Sequence, residues 1–156
     1  MKLAIGCDEA ACDLKEVIKA HLLAAKHEVE DFGTFDNLPV LYPNVGFKVA
    51  EAVAAGTFER AVLLCGTGIG MAISANKVAG IRAAQTHDTY SAERASRSND
   101  AQIITIGARV VGPELAKAIV DSFLKSSFDG ARSQPKIDRI VAYEAAHRAA
   151  SAPSKA

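Results

Sequence analysis

The chain has 156 residues, 49% of them hydrophobic and 6% aromatic, and its 18 basic side chains balance 18 acidic ones. That length suits one domain with a well-filled aliphatic core, and zero net charge leaves no electrostatic footprint for nucleic acid or an anionic membrane. Three cysteines (Cys7, Cys12, Cys65) without a Cys-x-x-Cys pair, no signal-peptide pattern and no bilayer-length apolar stretch point to a reducing, cytoplasmic setting.

Lys2 to Cys7 reads as a first strand with a polar tip at Asp8. Asp13 is placed to cap a helix whose apolar side is Leu14, Val17, Ile18 and Leu22. Glu28 to Gly33 alternates like a strand with one covered face, and Thr34 to Pro43 has the Asp, Asn and Pro content of a loop. Asn44 to Ala55 is helical by spacing, stopped by Gly56. Arg60 to Leu64 is a buried third strand, and Cys65-Gly66-Thr67-Gly68-Ile69-Gly70 turns it into a helix that runs to about Ala79-Gly80. Ile81 to Thr86 is a weak fourth strand, followed by a polar helix capped at Asp88 or Thr89. Ala101 to Gly107 is the fifth strand, Pro113 opens a long amphipathic helix, and a last helix spans about Pro135 to Ala149. Residues 1–150 are expected to form the single domain and 151–156 a disordered tail.

Strands and helices alternate throughout. The expectation is a three-layer α/β/α fold around a five-stranded parallel sheet, with the flavodoxin-like order 2-1-3-4-5. Ligands then bind at the carboxyl ends of strands one and three, where the order reverses. The tips that meet there are Cys7-Asp8-Glu9 and Cys65-Gly66-Thr67.

The glycine turn carries the chemistry. Glycines let backbone N–H groups approach a ligand closely, and a helix start favours an anion and a nearby thiolate. Met71 stands where a phosphate-binding P-loop needs lysine and where a cysteine phosphatase closes its loop with arginine, so both are excluded. The four histidines lack metal-ligand spacing, and no Gly-x-Ser-x-Gly elbow is present. No metal or other cofactor is therefore expected. A thiol acting as general base remains. Proton abstraction beside a carbonyl needs that base (Cys65), donors for an enediolate (the N–H groups of Gly66 to Gly70 and the Asn99 amide) and groups for hydroxyl protons (Asp8, Thr67). Arg109, Arg132 and Lys136 are candidate phosphate-binding cations.

Gly6-Cys7-Asp8, Asp31-Phe32-Gly33-Thr34, Tyr42-Pro43, Cys65-Gly66-Thr67-Gly68-Ile69-Gly70, Ser74-Ala75-Asn76-Lys77, Gly80-Ile81-Arg82-Ala83 and Ser98-Asn99-Asp100-Ala101 follow one another in the chain. In this succession, continued through Gly107-Ala108-Arg109 to Arg132, the sequence resembles the type B ribose-5-phosphate isomerases. That family also holds the galactose-6-phosphate and allose-6-phosphate isomerases. The resemblance implies metal-free aldose–ketose isomerisation through a cis-enediol. It also implies a homodimer or dimer of dimers whose sites are shared between subunits. It assigns Cys65 as the proton-abstracting base, Thr67, Gly66, Gly68 and Gly70 as the anion hole, Asn99 as its companion amide and Asp8 as a contact to sugar hydroxyls. Tyr42 lies in a matched motif beside the site, and Arg109, Arg132 and Lys136 fall at phosphate-binding positions.

Three positions depart from the pattern. Glu9 stands where many members have histidine near the phosphate. A carboxylate about 4 Å from a like charge costs roughly 4 kcal/mol at an effective dielectric near 20, so Glu9 has to turn away, pair, or face a different substrate. Leu41 replaces a usual aspartate, and Ser98 replaces a histidine proposed to help ring opening. The segment Thr86 to Ala95 is similar to a subgroup that includes enzymes of four-carbon sugar phosphates, and His87, at the end of strand four, can supply an imbidazole instead. The reading is thus a sugar-phosphate isomerase. The alternatives are a non-catalytic sugar-phosphate-binding module and a redox-sensing thiol protein.

Overall fold

The computed structural model describes residues 1–151, so the tail expectation, apart from Ser151, falls on residues outside those described. Five parallel strands form one sheet: β1 (Lys2–Cys7), β2 (Glu28–Asp31), β3 (Arg60–Cys65), β4 (Ala83–Gln85) and β5 (Ile103–Gly107). The helices are α1 (Cys12–Ala24), α2 (Tyr42–Ala54), α3 (Ile69–Ala75), α4 (Thr89–Asn99), α5 (Pro113–Lys125) and α6 (Gln134–Ser151). One face of the sheet packs Leu3, Ile5 and Ile106 against Ile18 and Leu22 of α1, Ala92 and Ala95 of α4, and Ile119 and Phe123 of α5. The other face packs Leu63 and Ile103 against Val49 and Val53 of α2 and Met71 of α3. The expected α/β/α layering is present.

The strand order is β2-β1-β3-β5-β4, which corrects the expected placing of the last two strands. The cause lies in their side chains. Ile103-Ile104-Thr105-Ile106-Gly107 is buried throughout and gains most from a central place. Ala83-Ala84-Gln85 has little to bury, is partly exposed and takes the edge. The switch point between β1 and β3 is unaffected.

Several local expectations change for physical reasons. Asp8, not Asp13, is the capping carboxylate here. It accepts from Ala10 N at 3.0 Å in a 3-10 turn over Glu9–Ala11, while α1 begins with no side-chain cap. Helix α2 starts two residues early because Pro43 fits its first turn. Helix α3 stops at Ala75. There the Asn76 side chain donates to Ala83 O (2.7 Å) and accepts from Ala83 N (2.9 Å), covering the open edge of β4. In α1, Val17 points outward, unlike Leu14, Ile18 and Leu22. No helix among the described residues is long and apolar enough to cross a membrane.

Lys15 is fully buried. Its Nζ donates to both oxygens of Asp31 (2.9 and 2.8 Å) and to Thr34 O (2.9 Å), and Lys19 Nζ reaches Asp31 at 2.7 Å. Burial works against the ionised Asp31, but the donors from Lys15, Lys19 and Gly33 outweigh it and hold the carboxyl below the usual carboxylate range. The cluster ties α1 to the end of β2 and to the loop beyond it. Removing one partner of a buried pair strands the other, so Lys15→Met is expected to lower stability by about 3–5 kcal/mol at pH 7 in urea denaturation. Asp31 contributes its share above the unfolded carboxylate value of about 3.9 and loses it as pH falls below that, so the gap between Lys15→Met and wild type narrows in acid.

Candidate active site

The parallel register sets Cys7 beside Leu64 and Cys65 beside Gly107, so the ends of β1, β3 and β5 form one shelf. Asp8 N donates to Leu64 O at 3.2 Å, which carries the turn after β1 across to β3. The Asp8 carboxylate accepts from Ala10 N, and Gly66 N also donates to it. Burial, followed by the charge of Glu9, raises the Asp8 carboxyl above its usual range, against the pull of these N–H groups and of Arg109.

The turn after β3 lies on β5. Gly68 has φ of +79°, and a methyl there would stand 3.1 Å from the Ile106 carbonyl carbon. A methyl on Gly107 would meet the Thr67 carbonyl at 2.8 Å. Two bare backbones therefore touch at this point, and only glycine fits on either side. Gly68 N donates to Cys65 Sγ at 3.0 Å, and Thr105 Oγ1 donates to Gly68 O at 2.8 Å. Cys65 is 5% exposed and lines the floor of the cleft. Ile69 N donates to Thr67 Oγ1 at 3.3 Å, so the threonine O–H remains to donate elsewhere. Gln85 Nε2 donates to Thr67 O at 2.7 Å and braces the turn from the edge strand.

A cleft of about 310 Å³ opens above this shelf. Cys65, Gly66, Thr67 and Gly70 form its floor, Asp8 and Glu9 one wall, and Tyr42 and Arg109 line it too. Tyr42 lies so close over Gly70 that a methyl on Gly70 would sit 2.5 Å from the ring. Arg109 N donates to Gly66 O at 3.0 Å, and the guanidinium passes beside Gly66. Glu9 faces the cleft but is engaged, its Oε2 accepting from Val40 N at 3.2 Å.

Other sequence candidates lie elsewhere in the chain. His87 sits past β4 and its Nε2 accepts from Gly107 N at 3.1 Å, which puts the proton of the neutral ring on Nδ1. Asn99, exposed at the end of α4, donates to Arg94 O at 3.0 Å, and Arg94 reaches Ser98 Oγ at 3.4 Å. Asn99 borders a separate cleft with Arg82, Ala84 and Ile140. Arg132 and Lys136 are exposed, in a 3-10 turn (Ala131–Ser133) and in α6. The sequence reading overlooked Gln85 and Gly107 as parts of the site; a polar residue at a strand's carboxyl end, and a glycine facing another glycine turn, were the available signals. Cys7 and Cys12 are buried with their sulfurs 3.8 Å apart, and burial pushes the Cys7 thiol up. Among the described residues no group of three or more His, Cys, Asp or Glu side chains is placed to hold a metal ion.

Known proteins share this fold and sequence. Residues 3–140 match the family model described as Ribose/Galactose Isomerase. The chain is 55% identical over 138 residues to ribose-5-P isomerase B of Listeria innocua, covering 88% of this chain and 93% of that one. It is 51% identical over 147 residues to D-erythrulose-4-phosphate isomerase of Pectobacterium atrosepticum, covering 92% and 95%. The solved ribose-5-phosphate isomerase B of Clostridium thermocellum superposes with a TM-score of 0.93 at 45% identity, over 94% of this chain and 99% of that one. The chain accordingly belongs to the ribose/galactose isomerase family and is an isomerase.

Proposed function

We propose that the protein interconverts the aldose and ketose forms of a small sugar phosphate through a cis-enediol, without a metal ion, with Cys65 as the base. The observation that carries this reading is the position of Cys65 Sγ at the cleft floor, held by Gly68 N and flanked by Asp8, Thr67 and Arg109. The thiolate takes the proton from the carbon beside the carbonyl and returns it to the neighbouring carbon. The Thr67 O–H is the donor facing the developing enediolate oxygen, and the raised carboxyl of Asp8 suits the transfer of hydroxyl protons. Arg109 supplies positive charge for the phosphate.

A four-carbon sugar 4-phosphate is the substrate we favour. Its O4 is esterified, so it cannot close a furanose ring and needs no ring-opening group. No imidazole lines the cleft among the described residues, and Ser98 is a poor proton carrier. The similarity to an enzyme named for D-erythrulose 4-phosphate is in keeping with this. The remaining phosphate ligands, Arg132 and Lys136, and the Asn99 amide would come from a second copy in a homodimer or a dimer of dimers. Helix α6 supports such pairing: Ile140, Val141 and Tyr143 are each about half exposed along it.

Cys65→Ala is expected to lower isomerisation and solvent-proton exchange about a thousandfold or more while circular dichroism stays native. Turnover near wild type would remove the cysteine from the mechanism. A panel of tetrose, pentose and hexose phosphates should give the highest kcat/KM for the four-carbon pair; a clear preference for ribose 5-phosphate would overturn the substrate reading. Binding without turnover of any sugar would leave a non-catalytic module. The pH profile supplies a further check. Glu9→Gln removes a like charge beside Asp8 and favours its ionised form, so the acid limb of kcat/KM should move to lower pH.

A further inference from the structure

The segment from Thr34 to Leu41 crosses the rim of the cleft as a strap with three large apolar side chains in solvent: Phe35 is 75% exposed, Leu38 66% and Leu41 75%. Its first half is fastened several times. Thr34 N donates to Cys7 O at 2.8 Å, Lys15 Nζ donates to Thr34 O, and Cys12 Sγ donates to Asp36 O at 3.0 Å. In its second half, the tie to the cleft turn is the hydrogen bond from Val40 N to Glu9 Oε2. Two residues later comes Tyr42, which opens α2 and overlies Gly70 with no room for a methyl between them.

We propose that Glu9 is a positioning residue whose carboxylate latches the strap through Val40 N–H, so that Tyr42 stays against Gly70 as a fixed wall and limits the length of sugar phosphate the cleft admits. The latch accounts for a second carboxylate in an anion-binding cleft. The backbone donor at the rim holds one of its oxygens, which partly offsets the repulsion it would exert on a phosphate. Glycine at position 70 suits the same wall: a methyl there would push the Tyr42 ring aside. The size limit rests on the isomerase reading, whereas the latch itself is a property of the free protein.

The test uses the full chain with Glu9→Ala, Glu9→Gln and Val40→Pro. Brief chymotrypsin digestion, mapped by mass spectrometry, reads opening of the strap at Phe35 and Leu41, Leu38 being shielded by the proline that follows it. Losing a hydrogen bond to a charged group should speed nicking of Glu9→Ala about tenfold. Gln keeps an acceptor for Val40 N–H, so Glu9→Gln should return most of that protection. Val40→Pro deletes the donor while leaving Glu9 intact and should reproduce the Glu9→Ala nicking even if the alanine variant folds poorly. In kinetics at pH 7.5, Glu9→Ala should raise KM for the four-carbon substrate more than it lowers kcat and should narrow the preference over five-carbon phosphates; Gln should recover most of the KM. Wild-type nicking in Glu9→Ala and Val40→Pro would overturn the latch, as would a Gln variant nicked as fast as the alanine one. An unchanged carbon-number preference in a freely nicked variant would overturn the size limit. If no sugar phosphate turns over, the isomerase reading fails and the digestion alone still decides the latch.

Discussion

Backbone against backbone, at Thr67 and Gly107, is the contact on which the site depends. A methyl on Gly107 would meet the Thr67 carbonyl at 2.8 Å, so the turn after β3 rests directly on the end of β5. This support fixes Gly68 in the left-handed region and aims its N–H at Cys65 Sγ. The Gly107 N–H, at the last ladder position of β5, is taken by His87, and the Thr67 carbonyl is taken by Gln85. Polar groups of the edge strand and of the turn just after it thus satisfy the atoms that the glycine contact exposes. Buried backbone donors left without partners would otherwise weigh against so tight an approach.

The same contact explains why the strand order matters. With β5 beside β3, Cys65 faces a glycine at the sheet's end and the edge strand is free to brace the turn. The Cys-Gly-Thr-Gly-Ile-Gly block announced the turn because glycine spacing is a local property. The place of β5 was not local. It follows from comparing what two strands can bury, Ile-Ile-Thr-Ile against Ala-Ala-Gln, a comparison the alternation of elements does not make. The expected Asp13 cap failed on similar grounds: capping depends on which carboxylate meets free N–H groups at the actual turn, and here it is Asp8.

Side chains that work across long separations were the least legible. Nothing in the sequence near Lys15 marks it for burial; it is β2 that brings Asp31 and Thr34 to it. Glu9 reads as an electrostatic fault until Val40, some thirty positions on, donates to it. Asn99, Arg132 and Lys136 are a different case. Their residue types suit a phosphate and an oxyanion, yet one chain leaves them outside the cleft that holds Cys65. The two-copy site proposed above would leave no signature in the spacing of one chain.

Charge at the cleft is arranged around what a single thiol can do. The proposed isomerisation moves a proton between adjacent carbons on one face of a cis-enediol, so one base would serve both steps if it does not move. As the proposed base, Cys65 would meet that condition through burial and the Gly68 N–H, the hydrogen bond that holds its sulfur. Its two carboxylate neighbours are each engaged by backbone N–H groups, Asp8 by Ala10 and Gly66, Glu9 by Val40. Asp8 keeps a raised affinity for protons suited to hydroxyl oxygens, while Glu9 serves the wall. The division of labour follows from where each acid finds its N–H donors, which the turn after β1 and the strap over the rim determine.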